Sequence, residues 1–225
     1  MKTAILGTGN VGRTIAARLV ELGHGVTIGT RDAEATLART EVDGMGNAPF
    51  ADWAAGNPDV TVTSFADAAA GSELIINATN GGASLDVLAL VGAENLGGKI
   101  ILDLANPLDF SHGMPPTLFV KDTDSLGEQI QRAFPAARVV KSLNTLNADL
   151  MARPDQLSET STVFVSGNDA DAKQTVTALL KEFGHRDVID LGDITTARGA
   201  EMLLPVWLRL WETLGTSAFN FKIVR

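Results

Sequence analysis

The sequence predicts an α/β fold in which a doubly wound parallel sheet, the Rossmann arrangement, carries a small C-terminal helical extension. Three observations carry that expectation. Strand-like apolar runs alternate with helical patterns, a rhythm that needs crossover connections and so a parallel sheet covered on both faces. The first run leads straight into a glycine-rich turn and a helix, the opening of a βαβ unit. The length of 225 residues, 45% of them hydrophobic, suits one α/β domain with a sizeable core.

The first strand-like run, Ala4-Ile5-Leu6, precedes Gly7-Thr8-Gly9-Asn10-Val11-Gly12, and a helical pattern runs from Asn10 to about Leu22. Each glycine of this G-x-G-x-x-G has its own task. Gly7 makes the tight turn, Gly9 lets backbone approach a pyrophosphate, and Gly12 lets the helix lie against the sheet. Free N–H groups at the helix start and the helix dipole favour phosphates. Gly7, Thr8, Gly9, Asn10, Val11 and Gly12 are therefore the candidate phosphate loop.

Gly25 to Gly29 reads as the second strand, followed by Thr30-Arg31-Asp32. A site for NAD places an acidic residue here to accept from the ribose 2′-hydroxyl. Thr30 and Arg31 instead offer a small hydroxyl and a guanidinium, which suit a 2′-phosphate and favour NADP(H). The alternative is that Arg31 is a solvated surface charge. Asp32 reads as the N-cap of a helix from Ala33 to Arg39.

Further strands are expected at Val60–Thr63, Leu74–Ile76, Ile100–Leu104, Arg138–Lys141, Thr162–Val165 and Asp187–Asp190, and Gly44 to Pro58 reads as a loop on the rim of the site. Residues 1–150 form the expected dinucleotide-binding unit and 151–225 an α/β extension. Within it, Thr195 to Gly215 reads as one long helix kinked at Pro205. Leu204, Leu208 and Trp211 share a face of that helix, as core or as the interface of a homodimer. Phe219, Phe221 and Ile223 alternate with polar residues as an edge strand would.

In open α/β sheets, ligands bind beyond the carboxyl ends of the strands. Those ends carry Asn77-Ala78-Thr79-Asn80-Gly81-Gly82, Ala105-Asn106-Pro107 and Ser142-Leu143-Asn144-Thr145. Ala78, Thr79, Asn80, Asn106 and Asn144 are the candidates to touch cofactor, since amides and hydroxyls suit a nicotinamide carboxamide and ribose. The alternative is that each satisfies its own turn.

The exclusions are equally informative. A net charge of −9 argues against nucleic acid and anionic membranes as partners, and the absence of cysteine removes disulfides, thiolate zinc sites and cysteine nucleophiles. The longest late apolar stretch, Met202 to Trp211, is too short to span a bilayer and contains Arg209. With the first strand starting at residue 2, no signal peptide is expected and the chain reads as cytoplasmic. There is no tyrosine and there are three histidines. Of these, His24 and His185 fall before strands, while His112 sits in a loop that could reach the crevice. No catalytic acid or metal ligand is assigned, and a site without a proton donor fits direct hydride exchange with a small-molecule redox acceptor.

The chain resembles the coenzyme F420-dependent NADP oxidoreductases. The resemblance rests on Gly7-Thr8-Gly9-Asn10-Val11-Gly12, Thr30-Arg31, Lys141-Ser142-Leu143-Asn144-Thr145 and the closing Phe221-Lys222-Ile223-Val224-Arg225. It implies NADPH in the glycine-rich site and a deazaflavin, coenzyme F420, stacked on the nicotinamide from the C-terminal side. The chain departs from the family at Ala78-Thr79-Asn80-Gly81-Gly82, where an apolar, proline-bearing segment is expected, and at Asp32, where a second basic residue often follows. Three readings stay open: an NADPH oxidoreductase using a deazaflavin, a reductase of another acceptor (flavin, ferric chelate or imine), and a non-catalytic dinucleotide-binding module.

Overall fold

The eight runs expected as strands between residues 4 and 190 all form strands, and they join one sheet. The computed structural model describes residues 1–43 and 46–225. Its strands are β1 (Lys2–Leu6), β2 (Gly25–Thr30), β3 (Val60–Ser64), β4 (Leu74–Asn77), β5 (Ile100–Asp103), β6 (Leu108–Asp109), β7 (Thr117–Leu118), β8 (Arg138–Ser142), β9 (Thr162–Gly167) and β10 (Asp187–Gly192). Eight of them follow the order β10-β9-β8-β5-β4-β1-β2-β3, with β6 and β7 forming a separate two-stranded ribbon. The chain runs outward from β1 through β2 to β3, then returns to place β4 on the other side of β1. That reversal creates a crevice between the carboxyl ends of β1 and β4, where open α/β sheets bind ligands.

Register explains why the sheet needs helices on both faces. Ile5 pairs with Ile28 and Ile76, Ile76 with Leu102, and Leu102 with Val140, so apolar side chains cross one face without a break. Ile15 and Leu19 of the Asn10–Glu21 helix cover it together with Val176 and Leu180 of the Ala170–Phe183 helix. On the opposite face Ala4, Ile75, Ile101 and Val139 lie beneath Phe65, Leu88 and Ile130. Each of the larger side chains contributes about 1.5–3 kcal/mol of burial, so neither face is tolerable in water.

Several expectations change. The sheet is parallel except where β9 runs antiparallel to β8, and β10 then follows β9 in parallel. These last two strands lie in the extension beyond residue 150, so the sheet runs on through that boundary. Part of the expected rim loop, Gly44 included, lies outside the described residues. Its remainder contains a helix, Phe50–Ala55, whose Phe50 and Trp53 rings meet at 5.4 Å. Their spacing of three residues puts both rings on one helical face.

The expected long C-terminal helix is two helices, Ala197–Met202 and Leu204–Leu214. Pro205 lacks an N–H to continue the first, yet fits the opening turn of the second. The final alternating residues do not form a strand. The carbonyl of Phe221 accepts from the Thr162 N–H at 2.9 Å, at the part of β9 that β8, paired only with Val165 to Gly167, leaves open, but one such bond does not make a ladder. Among the described residues, no helix is long and apolar enough to cross a membrane.

Candidate functional site

The glycine-rich turn closes the crevice at its floor. Gly7 has φ +123°, and a Cβ there would lie 2.6 Å from the carbonyl oxygen of Ala78. A Cβ on Gly12 would lie 2.2 Å from the oxygen of Gly7, so these two glycines join β1, β4 and the first helix. Gly9 is different: it is exposed, and a Cβ would meet nothing within 4 Å. The space in front of Gly9 is open cleft. The helix that starts behind it, Asn10–Glu21, has no side-chain cap and no acidic residue in its first turn. Its leading N–H groups and positive dipole end therefore face solvent, an arrangement that suits an anion.

The cleft has a volume of about 420 Å³. Gly7, Thr8 and Gly9 line it from one side, and Ala78, Thr79 and Asn80 from the other. At the end of β2, Thr30 shares a buried hydrogen bond with Thr36, Oγ1 to Oγ1 at 2.8 Å, which fixes the orientation of both side chains. Arg31 is exposed, lines the cleft and forms no ion pair or hydrogen bond among the described residues. Asp32 caps the Ala33–Leu37 helix as expected, accepting from the Ala35 N–H at 2.9 Å. A G-x-G-x-x-G turn open at its middle glycine, an uncapped helix start and a free cation past β2 fit the phosphates of a dinucleotide.

The residues at the other strand ends divide. Thr79 donates its hydroxyl hydrogen to Asn77 Oδ1 at 2.7 Å, and Asn80 caps the short turn Gly81–Ala83 through the Gly82 N–H at 2.9 Å. Both still border the cleft. Asn106 and Asn144 do not line it. Asn144 Nδ2 donates to Asn106 Oδ1 and to the Ala200 carbonyl, each at 3.0 Å, while Asn106 Nδ2 donates to the Asn144 carbonyl at 2.9 Å. The two amides thus tie their strand ends to each other, and Asn144 joins them to the C-terminal helices. Asn10 and Val11 open the first helix rather than line the cleft. His112 is exposed on the ribbon loop and is not among the lining residues.

Two groups were not assigned from the sequence. Arg39 lines the cleft and donates from Nη2 to Thr8 Oγ1 at 2.7 Å. Arg13 is buried, donates from Nε to the Thr8 carbonyl at 2.9 Å, and so clamps the glycine-rich turn from below. Burial pulls the Arg13 guanidinium below its ordinary pKa, with Asp43 acting against that and Arg39 adding to it.

The second group is a buried network behind Thr79. Lys141 in β8 reaches Asp103 Oδ2 at 2.8 Å and Glu201 Oε1 at 3.0 Å, and also donates to the Ala105 carbonyl. Asp103 in turn accepts from Asn77 Nδ2 at 2.8 Å. Glu201 accepts the N–H groups of Leu126 and Gly127 at 2.9 and 3.0 Å, at the start of the Leu126–Ala133 helix. Burial pulls the Lys141 pKa down, but the two carboxylates outweigh it and the net shift is upward. Lys141 after Val139-Val140, and Asp103 closing the apolar run Ile100-Ile101-Leu102, were the visible signs of this network.

The model of the family "NADP oxidoreductase coenzyme F420-dependent" matches residues 2–107. A crystal structure from Arthrobacter sp. FB24, described as a candidate F420-dependent NADP-reductase, is 63% identical, with a TM-score of 0.95 over 100% of both chains. The chain belongs to the coenzyme F420-dependent NADP oxidoreductase family. By that membership it is an NADP-dependent oxidoreductase. The F420-dependent NADP reductase of Methanocaldococcus jannaschii is 26% identical over 93% of this chain and 92% of its own length. Metalloreductase STEAP3 of Rattus norvegicus is 28% identical over 92% of this chain, which spans only 38% of that protein.

Proposed function

We propose that this family member transfers hydride between NADP(H), held in the cleft between β1 and β4, and a deazaflavin of the coenzyme F420 type. The observation that carries the reading is the open approach at Gly9 beside an uncapped helix start, in a chain of this family. When bound, the nicotinamide supplies the hydride chemistry. The chain's own residues bind and orient. The turn at Gly7 to Gly9 receives the pyrophosphate, Arg31 takes the 2′-phosphate, and Thr79 faces the ribose or carboxamide. Thr79 gives its own hydrogen to Asn77, so toward the cleft its oxygen is an acceptor. The cleft lining holds no histidine, and direct exchange between two cofactors asks no carbonyl protonation of the protein.

Mixing the protein with NADPH and oxidised coenzyme F420 tests this. Bleaching of the deazaflavin absorbance at turnover rates is the expected result. The similarity to a metalloreductase over nearly the whole chain favours one second reading, in which the acceptor is a ferric chelate or flavin. Consumption of NADPH with ferric citrate or FMN, and none with F420, would establish that reading and overturn the first.

We also propose a homodimer through the C-terminal helices. Leu204 and Leu208 are buried in the protomer, whereas Val206, Trp211 and Leu214 of the same helix are 51%, 40% and 54% exposed. Trp211 borders an apolar groove with Met114 and Pro115 of the ribbon loop. Trp211→Asp should therefore give monomers by light scattering with an intact glycine-rich site. A monomeric wild type at micromolar concentration would remove the dimer.

A further inference from the structure

We infer that Arg39, with the Thr8 hydroxyl, is a specificity-determining element of the cofactor site: it grips the phosphate monoester on the adenosine ribose. The inference deepens the reading of the cleft as an NADP(H) site and rests on it.

The element is built from parts far apart in the chain. Arg39 follows the Ala33–Leu37 helix, where its N–H donates to the Thr36 carbonyl at 3.2 Å and its carbonyl accepts from Ala51 at 3.1 Å. The guanidinium carbon lies 5.4 Å from the centre of the buried Phe50 ring, within the range where a cation is drawn to an aromatic face. From there Nη2 reaches across to Thr8 Oγ1 at 2.7 Å. The bridge therefore spans the cleft from the β2 side to the glycine-rich turn.

Its hydrogen-bond inventory is what points to a phosphate. Thr8 Oγ1 accepts from Arg39, which leaves its own hydrogen free to donate. The guanidinium has five N–H groups, and the Thr8 contact is its one hydrogen bond among the described residues. Arg31, without a partner among the described residues, lines the same cleft. Two cations and a hydroxyl donor, with no carboxylate bonded to either guanidinium among the described residues, suit a dianion better than a neutral diol. The neighbouring Arg13 makes the contrast clear. It is buried away from the cleft with Nε and Nη1 on the Thr8 and Ala48 carbonyls, and it holds the turn rather than a ligand.

Position selects the 2′-phosphate over the pyrophosphate. The adenosine ribose lies at the end of the second strand in folds of this kind, and Arg39 shares the cleft wall there with Thr30, Arg31 and Thr36. The pyrophosphate belongs at Gly9 and the helix start.

Two probes separate these subsites. ADP-ribose and its 2′-phosphorylated form both carry the pyrophosphate and differ only at the ribose. Titrated calorimetrically against the full chain, wild type should bind the phosphorylated probe at least tenfold more tightly. Arg39→Ala should lower that preference about tenfold and leave ADP-ribose binding unchanged. Arg39→Lys should recover only part of it, because the planar fork is lost. Thr8→Val should act in the same direction with a smaller effect. Equal loss of both probes in Arg39→Ala would place Arg39 at the pyrophosphate, and no change would make it a solvated charge. Either overturns the inference while leaving the cofactor reading intact. A wild type that does not distinguish the probes would overturn both together. Arg39 is exposed, so an unchanged melting temperature serves as the control for folding.

Discussion

Two clusters of positive charge along the carboxyl edge of the sheet are built in opposite ways. At the end of β2, Arg31 and Arg39 border an open cleft with most of their donors free. At the end of β8, Lys141 is fully buried, and Asp103, Glu201 and the Ala105 carbonyl surround its ammonium. The protein supplies every partner of the second cation and leaves those of the first to a ligand. A buried charge without partners would cost several kcal/mol, so the interior must provide them; an exposed charge carries no such demand. The difference separates a cation that joins the C-terminal helices to the sheet from cations that wait for an anion.

The largest expected effect lies at the buried site. Lys141→Met removes the ammonium and leaves Asp103 and Glu201 as uncompensated buried carboxylates. Loss of one partner from such a cluster costs about 3–5 kcal/mol. A urea titration should show a midpoint lowered accordingly, and adding Asp103→Asn should recover part of the loss by removing one of the orphaned charges. A penalty under about 1 kcal/mol for the single variant would erase the contrast between the two cation sites.

The glycines of the first turn sharpen the same contrast between structure and ligand. A side chain on Gly7 would strike the Ala78 carbonyl from a backbone conformation that favours glycine, so Gly7→Val should fail to fold stably. At Gly9 the same side chain meets open space. Gly9→Val should keep the wild-type melting temperature and lose NADPH binding by calorimetry, since the substituted side chain would occupy the path of the pyrophosphate. Normal NADPH affinity in Gly9→Val would show that no phosphate approaches there.

What was legible in the sequence follows the reach of each signal. The turn from Gly7 to Gly12, the strand ends and the Asp32 cap are local patterns of a few residues, and each reappears in place. The direction of β9 was not legible, because a strand buried on both faces has the same composition whether it runs parallel or antiparallel. The β6–β7 ribbon has two residues per strand, too few to show a period of two. The Phe50–Ala55 helix was hidden among Asn47, Pro49, Asn57 and Pro58, whose turn signals outweigh a six-residue helical stretch. In the site, sequence could place Asn106 and Asn144 at strand ends. It could not show that they bond each other and Ala200, 56 residues beyond Asn144. Arg39 escaped for the same reason, since its nearest functional neighbour, Thr8, is 31 residues away.

The smallest expected effect tests Arg31, the cation with no partner. Its guanidinium is exposed, so a new contact to phosphate competes with water and screening salt, and its worth is correspondingly modest. Charge-assisted hydrogen bonds are stronger than neutral ones, which sets the loss in Arg31→Ala at about 1–2 kcal/mol, roughly tenfold in the dissociation constant for NADPH. NADH lacks the 2′-phosphate and should bind wild type and Arg31→Ala alike. Raising the salt concentration should narrow the gap between wild type and variant for NADPH, because the lost interaction is ionic and near the surface. Lys141→Met, in its folded fraction, should show no such salt-dependent preference change, since its charge never meets the ligand. An equal loss for NADPH and NADH in Arg31→Ala would instead make Arg31 part of the cleft's general support, and the distinction between the two kinds of cation would fail at the end where it predicts specificity.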